Sequence, residues 1–214
     1  MLAHKLRRVV GANSTPAIIV GSSGTAYTSN TDASSYTSSG LPSVAADERA
    51  VIAIAGRAAT TRTISSVTIG GQACSALHTV DLSGNTVALY LGPVGVSGNV
   101  VVTLSAAWLR CLIDLWPCKN IQSSTPTDTG GFTTSGQSDT MNCDAGGAIF
   151  GIAYNNETNA HTWTNLTEAF DVTLESVHRS SGAADAFATA QVARAISMNM
   201  GVYNTGIAAF VSLR

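Results

Sequence analysis

The sequence has few charged side chains. Asp, Glu, Lys and Arg make up 11% of the 214 residues, against roughly 25% in an average soluble protein. The formal net charge is −2, so the chain lacks the basic surplus that neutralises phosphates, and specific nucleic-acid binding is disfavoured. Hydrophobic residues still make up 45%, which argues against intrinsic disorder because disordered chains combine low hydrophobicity with high net charge.

The sequence also lacks a stretch typical of a membrane helix. Its longest charge-free segment, residues 82–109, is interrupted by Gly84, Gly92, Pro93 and Gly98. Backbone exposed at such turns would have no hydrogen-bond partner in hydrocarbon. We therefore expect no membrane partner.

Motifs of catalysis are missing as well. There is no G-x-S-x-G elbow, P-loop, H-E-x-x-H or EF-hand loop, and the four histidines lie far apart in the sequence. Asp171 and Glu175 invite comparison with a glycosidase carboxylate pair, but they fall on one face of a predicted strand, which is typical of a solvated sheet face. We expect no enzymatic activity, cofactor or metal, and keep a hydrolase with a site built from distant loops as the enzymatic alternative.

Strand patterns dominate what is present. Residues 50–55 form a continuous apolar run, which predicts a strand buried on both faces. Residues 87–91 and 100–104 alternate with period two and are separated by Gly and Pro turn signals. Residues 109–115 alternate too, and we expect Pro117 to end that strand because proline lacks a backbone donor.

These patterns predict an all-β fold of ten to twelve strands. The expected architecture is a two-sheet antiparallel sandwich of jelly-roll type, forming a single domain over residues 16–214. Residues 119–139 show no periodicity, which predicts a long binding, subunit-contact or mobile loop. No internal repeat with a period of 20 to 50 residues is evident.

Residues 1–15 show neither helical nor strand periodicity and are interpreted as an amino-terminal arm. They hold three of the eleven positive charges and no acidic residue. Lys5, Leu6, Arg7 and Arg8 are the candidates for contact with a neighbouring subunit. A solvated terminus without a partner is the alternative.

The four cysteines have no C-x-x-C spacing, which disfavours zinc binding and thioredoxin-like chemistry. Cys111 shares the predicted face of Ile113 and Leu115, which indicates a small buried hydrophobe. Cys118 and Cys143 fall outside that pattern and are candidates for a disulfide. The pairing stays open, since four cysteines allow three full pairings and an interchain bond is a further option.

Aromatic residues are scarce, at 6% of the chain. Trp116 and Trp163 are the best candidates for a stacking platform under a sugar ring, because jelly-roll proteins include lectins. Sandwich cores also use tryptophan, so the competing interpretation is burial.

Four segments carry strand and turn patterns of one kind: residues 62–73 (RTISSVTIGGQA), 92–105 (GPVGVSGNVVVTLS), 145–149 (AGGAI) and 163–168 (WTNLTE). These segments resemble virion proteins of tailed bacteriophages and related gene-transfer particles. The similarity extends over roughly residues 49–213, leaves the arm outside, and carries no catalytic residues.

This resemblance implies a jelly-roll-like module on the exterior of the virion. Such a module would serve as a capsid decoration, a head spike or fibre, or a collar component. The implied partners are other virion proteins and further copies of the same chain. A carbohydrate or host-receptor module binding a host surface glycan is the alternative function.

Overall fold

The computed structural model describes residues 15–133, 137–201 and 206–214. These residues form strands, turns and irregular connections, and none of them is helical. Every strand pair lies either within residues 15–119, here called the amino half, or within residues 120–214, called the carboxyl half. The predicted arm residues Lys5, Leu6, Arg7 and Arg8 lie outside the described residues.

The amino half contains ten strands. They are β1 (Ile19–Val20), β2 (Tyr27–Ser29), β3 (Ala33–Thr37), β4 (Glu48–Arg57), β5 (Ile64–Ile69), β6 (Gln72–Ala73), β7 (Ser75–Leu82), β8 (Asn85–Leu91), β9 (Val100–Trp108) and β10 (Arg110–Lys119). An inner amino sheet has the order β1-β10-β4-β8-β7, with β2 also paired to β10. An outer amino sheet has the order β3-β9-β5-β6.

The carboxyl half contains eight strands in its described part. They are β11 (Asp128–Thr133), β12 (Ser138–Cys143), β13 (Ala148–Asn155), β14 (Thr162–Thr164), β15 (Glu168–Glu175), β16 (His178–Ala186), β17 (Gln191–Asn199) and β18 (Ile207–Leu213). The inner carboxyl sheet has the order β11-β18-β13-β16-β15, and the outer carboxyl sheet has the order β12-β17-β14. All pairs in both halves are antiparallel.

The two halves repeat one strand order. When the two-residue strands β1 and β6 are set aside, each half has eight strands. Both inner sheets then read first, eighth, third, sixth, fifth, and both outer sheets read second, seventh, fourth. The chain is therefore a duplication of one antiparallel sandwich with a period of about 100 residues, well beyond the repeat lengths of solenoids.

Three apolar clusters lie between the four sheets, one in each space between neighbouring sheets. One cluster lies between the outer and inner amino sheets and a second between the inner and outer carboxyl sheets. The third, here called the shared core, lies between the two inner sheets and joins the halves. Both inner sheets are consequently buried on both faces, which requires near-continuous apolar strands.

The expected all-β antiparallel sandwich is confirmed, with four sheets in place of two. Residues 50–55 are fully buried, as their apolar run predicts. Their side chains point alternately into the shared core and into the cluster between the two amino sheets. Residues 87, 89 and 91 share one face, as do residues 100, 102 and 104. The predicted single sandwich over 16–214 is instead a pair of sandwiches, built from eighteen strands in the described residues rather than ten to twelve.

Two local predictions are wrong. Residues 119–139 are not one long loop, because β11 pairs along β18 from Asp128 to Thr133 and the preceding segment hydrogen-bonds to the carbonyls of Ser212 and Arg214. Pro117 does not end β10, which continues to Lys119. Its carbonyl accepts from Gly21 on the side facing away from β4. In an antiparallel strand N and C=O of one residue point to the same side, so the missing donor costs no bond to β4.

Candidate functional site

A cleft of about 630 Å³ opens at one margin of the interface between the halves. Its amino-half wall is residues 18–23, which comprise β1 and the turn that follows it, together with Trp116 of β10. Its carboxyl-half wall is the start of β15, residues 167–169, and the end of β16, residues 184–186. Concave sites between packed units are common ligand sites, which makes this cleft the candidate functional site.

Trp116 lies at the base of this cleft and in the shared core. Its ring is 5.6 Å from that of Phe150 and 5.9 Å from that of Phe170, measured between centroids. Its side chain is 1% exposed, and its indole Nε1 has no hydrogen-bond partner among the described residues. Burial therefore leaves no free ring face for the predicted stacking on a sugar, although the indole keeps an unused donor.

Two carboxylates line the cleft on the carboxyl side. Glu168 is exposed, and burial together with the negative charge of Asp171 raises the pKa of its carboxyl, while Arg179 opposes this rise. Asp185 accepts a hydrogen bond from the backbone N–H of Thr167, at 3.0 Å. That bond fixes the Asp185 carboxylate against the turn that begins β15.

A third carboxyl lies behind the cleft wall. Asp114 of β10 is fully buried, and its Oδ1 accepts from the backbone N–H of Leu115 at 2.8 Å. Burial raises the pKa of Asp114 to about 7, and hydrogen bonds from Leu115 and Ser23 partly oppose that rise. The carboxyl is therefore poised to lose its proton near neutral pH, inside the protein.

A buried serine–histidine pair lies in the carboxyl half. His161 Nδ1 is 2.7 Å from Ser181 Oγ, and the indole Nε1 of Trp163 donates to the same oxygen at 3.0 Å. The Ser181 hydroxyl faces the sulfur of Met198 at 3.6 Å. Ser181 Oγ is thus the common hydrogen-bond partner of both rings, and the donor in its bond to His161 depends on the imidazole tautomer.

This pair is closed off from solvent and does not line the cleft. Ser181 is fully buried, and burial lowers the pKa of His161 to about 4, with Asp171 opposing and Arg179 adding to the shift. The cluster is a hydrogen-bonded part of the core, and Trp163, at 8% exposure, is buried within it.

Asp171 and Glu175 do not form a glycosidase pair. Arg179 holds Asp171 with two bonds, Nε to Oδ1 at 2.6 Å and Nη2 to Oδ2 at 2.8 Å. Glu175 pairs with Arg110 of the amino half, so its carboxylate joins the halves. Both carboxylates are thus occupied by guanidinium groups.

The candidate disulfide cysteines are free thiols deep in the structure. Cys118 is 1% exposed and Cys143 is 2% exposed. Burial raises the pKa of both thiols, that of Cys143 to about 11. Cys118 has the opposite parity to Ile113 along β10, and the carboxyl half covers that face. Cys111 is fully buried, as predicted.

The described residues contain no group of three or more potential metal ligands. They also contain no helix of the length and hydrophobicity that a membrane span requires. Comparisons with protein-family models, with curated proteins and with solved structures find no match for this chain. The fold defines the class as an all-β, antiparallel sandwich protein with a duplicated strand order.

Proposed function

We propose that this chain is a non-enzymatic structural protein of a tailed-bacteriophage particle. It is displayed on the exterior as a capsid decoration, a head spike or fibre, or a collar component, and residues 1–15 anchor it through Lys5, Leu6, Arg7 and Arg8. Its partners are other virion proteins and further copies of itself. The sequence segments quoted above support the proposal, and so does the strand order. The sheets read first, eighth, third, sixth and second, seventh, fourth, as in a jelly roll, except that the fifth strand pairs with the sixth rather than with the fourth.

The observation that carries the proposal is the outer amino sheet. None of its four strands contains Asp, Glu, Lys or Arg, whereas protein surfaces in contact with water usually carry about 25–35% charged residues. Ser35, Thr103 and Ser66 lie side by side across β3, β9 and β5, on the face opposite the buried Tyr36, Val102 and Val67. Such a flat, uncharged face packs against another subunit without desolvating charge.

The first test is whether the protein is part of the particle. A mass-spectrometric inventory of purified particles should contain the chain in a fixed copy number, and its presence in host cytoplasm alone would overturn the proposal. Deleting residues 1–12 should leave a folded protein that no longer joins particles. Normal incorporation of that truncated chain would remove the anchoring role.

The outer amino sheet gives a second test with an internal control. Ser66→Glu with Thr103→Lys places two charges on the uncharged face, and we expect a folded protein whose incorporation falls at least tenfold. Thr164→Glu on β14 of the outer carboxyl sheet is the matched control, because Thr164 is also an exposed strand residue. Equal incorporation of both variants would show that the uncharged face is not a contact.

Carbohydrate binding is the second candidate function, and the cleft is the observation that favours it. The carboxylates of Glu168 and Asp185 in its lining are groups that accept hydrogen bonds from sugar hydroxyls. The burial of Trp116 and Trp163 removes the stacking platform that the sequence suggested. A glycan array probed with the intact protein tests this function, and signal that Glu168→Gln abolishes would support it over a purely structural role.

A further inference from the structure

The residues that line the cleft carry negative charge and no positive charge. Glu168 and Asp185 lie on its carboxyl wall, and its described lining contains no Lys, Arg or His. Arg179 is close enough to act on Glu168, but it binds Asp171 with two hydrogen bonds and does not line the cleft. The lining therefore favours a ligand with positive charge.

The cleft also presents apolar surface, which indicates a peptide rather than a small cation. Ile19 lines it and is 57% exposed, and Val20 of the same strand lines it too. A peptide that carries both basic and apolar side chains meets the carboxylates and covers Ile19 together.

The chain itself has a segment of this chemistry close to the cleft. Residues 1–14 contain Lys5, Arg7 and Arg8, the apolar Leu2, Leu6, Val9 and Val10, and no acidic residue. Arg214 holds the start of the described chain by donating to the carbonyls of Thr15 and Pro16, each at 3.1 Å. The cleft wall begins three residues later, at Ile18.

From these observations we infer that the cleft binds residues 1–14 of a neighbouring copy of this chain. Lys5, Arg7 and Arg8 then face Glu168 and Asp185, and an apolar side chain of the same segment covers Ile19. The inference rests on the proposed function, because it supplies the surface to which the anchoring arm attaches.

A neighbouring copy is favoured over the arm's own cleft for two reasons. Fourteen extended residues span about 46 Å, which is ample to reach another subunit. Exchange of an identical segment between copies is a low-cost route to assembly, because the same contacts serve in every copy. An exchanged arm would also keep a second copy close to the uncharged outer amino sheet, which we propose to be a subunit contact.

The first experiment measures the contact with a labelled peptide of residues 1–14. The receptor is the full chain with Lys5→Gln, Arg7→Gln and Arg8→Gln, so that its own arm does not compete. We expect saturable binding by fluorescence anisotropy that weakens about tenfold with Glu168→Gln and Asp185→Asn, and that weakens further with added salt. Asp32→Asn with Glu157→Gln removes the same charge away from the cleft and should leave binding unchanged. Equal affinity for both double variants would overturn the inference.

The second experiment distinguishes a neighbour's arm from the chain's own. The unmodified chain should self-associate in sedimentation equilibrium, whereas the arm variant and the cleft variant should each remain monomeric. Mixing these two variants should restore dimers, because each dimer then has one intact arm and one intact cleft. A monomeric unmodified chain whose cleft still binds the peptide would show that the arm occupies its own cleft, which overturns the inference.

The result in particles separates this inference from the proposed function. If the protein is in particles and deletion of residues 1–12 removes it while Glu168→Gln with Asp185→Asn does not, the anchor is real and the cleft is not its receptor. If the peptide binds the cleft but purified particles lack the protein, the self-association stands and the virion role fails.

Discussion

In the amino half, the space between the two sheets is filled by aliphatic side chains, Trp108, two tyrosines and Cys111, whereas the carboxyl half encloses His161, Ser181 and Trp163 there. Three methionines, Met141, Met198 and Met200, also belong to the carboxyl cluster. The strand order is nevertheless the same in both halves. The same strand order is thus compatible with two different core compositions. This is expected when the pattern of buried positions determines the fold and the detailed packing determines its stability.

Both cores contain a glycine packed against a tryptophan ring. In each half a glycine on the third strand of the inner sheet lies against a tryptophan, Gly56 against Trp108 and Gly151 against Trp163. The approach is much closer in the amino half, where a Cβ on residue 56 would lie 2.1 Å from the Trp108 ring. The corresponding distance at residue 151 is 2.9 Å.

Among substitutions in the two cores, the largest expected effect comes from filling these glycine positions. Gly56→Ala should lower the free energy of unfolding by about 3 kcal/mol, because a fully buried tryptophan would have to move. Gly151→Ala should cost less, about 2 kcal/mol, because the rings of Trp163 and Phe210 lie 2.9 and 3.0 Å from a Cβ there and must also move. Urea unfolding measures both, and equal losses would show that the two tryptophan sites are equally adaptable.

The pH dependence of stability should differ in sign between two buried groups. The pKa of His161 falls from 6.5 to about 4 on folding, so the unfolded chain takes up the proton first. The stability that depends on neutral His161 is complete above pH 6.5 and is lost towards pH 4, by up to about 3 kcal/mol. The pKa of Asp114 rises from 3.8 to about 7 on folding, so its ionisation lowers stability as pH rises from 4 to 7, by up to about 4 kcal/mol.

Single substitutions should separate these opposing contributions. In Asp114→Asn, the free energy of unfolding should fall more steeply than in the unmodified chain as pH drops from 6.5 to 4. In His161→Asn, it should instead fall as pH rises through the same range. Unfolding curves for the two variants at pH 4 to 7.5 provide the measurement, and parallel profiles would contradict both assignments.

A smaller effect is expected from the hydroxyl that bonds to both rings. Ser181→Ala leaves the buried indole donor of Trp163 and the Nδ1 of His161 without their shared partner, at a cost of about 2 kcal/mol. Ser180→Ala is the matched control on the same strand. It removes a bond of 2.7 Å to the carbonyl of Ala153, which also belongs to the sheet ladder, so about 1 kcal/mol is expected. Similar losses for both would mean that the carboxyl core tolerates unpaired ring donors.

The smallest effect concerns the thiols and involves no loss of stability. Cys74 is partly exposed, whereas Cys111, Cys118 and Cys143 are buried. Alkylation of the native protein, followed by mass spectrometry, should modify Cys74 first and the others only in denaturant. Early modification of Cys143 alone would show that the carboxyl half opens locally while the amino half stays closed.

The sequence predicts the inner strands well because burial on both faces leaves a continuous apolar run, as at residues 50–55. It does not predict the duplication, because the halves fill equivalent strands with different residues. The period of about 100 residues also lies outside the range of 20 to 50 residues that is typical of repeat proteins. Nor does strand parity predict the burial of Trp116 and Cys118, because a single strand's pattern does not reveal that another sheet covers its second face. The cleft is formed by segments far apart in the sequence, and only the docking of the halves brings Trp116 and Glu168 together.

The confinement of every described strand pair to one half has a kinetic consequence. Each half closes its sheets over about 100 residues, so the contact order is roughly half that of a single sandwich built from the whole chain. Because refolding rates rise as contact order falls, each half should collapse on its own and faster than a 200-residue sandwich would. The halves then dock through the shared core, which adds a slower step in which Trp116, Phe150 and Phe170 leave water together.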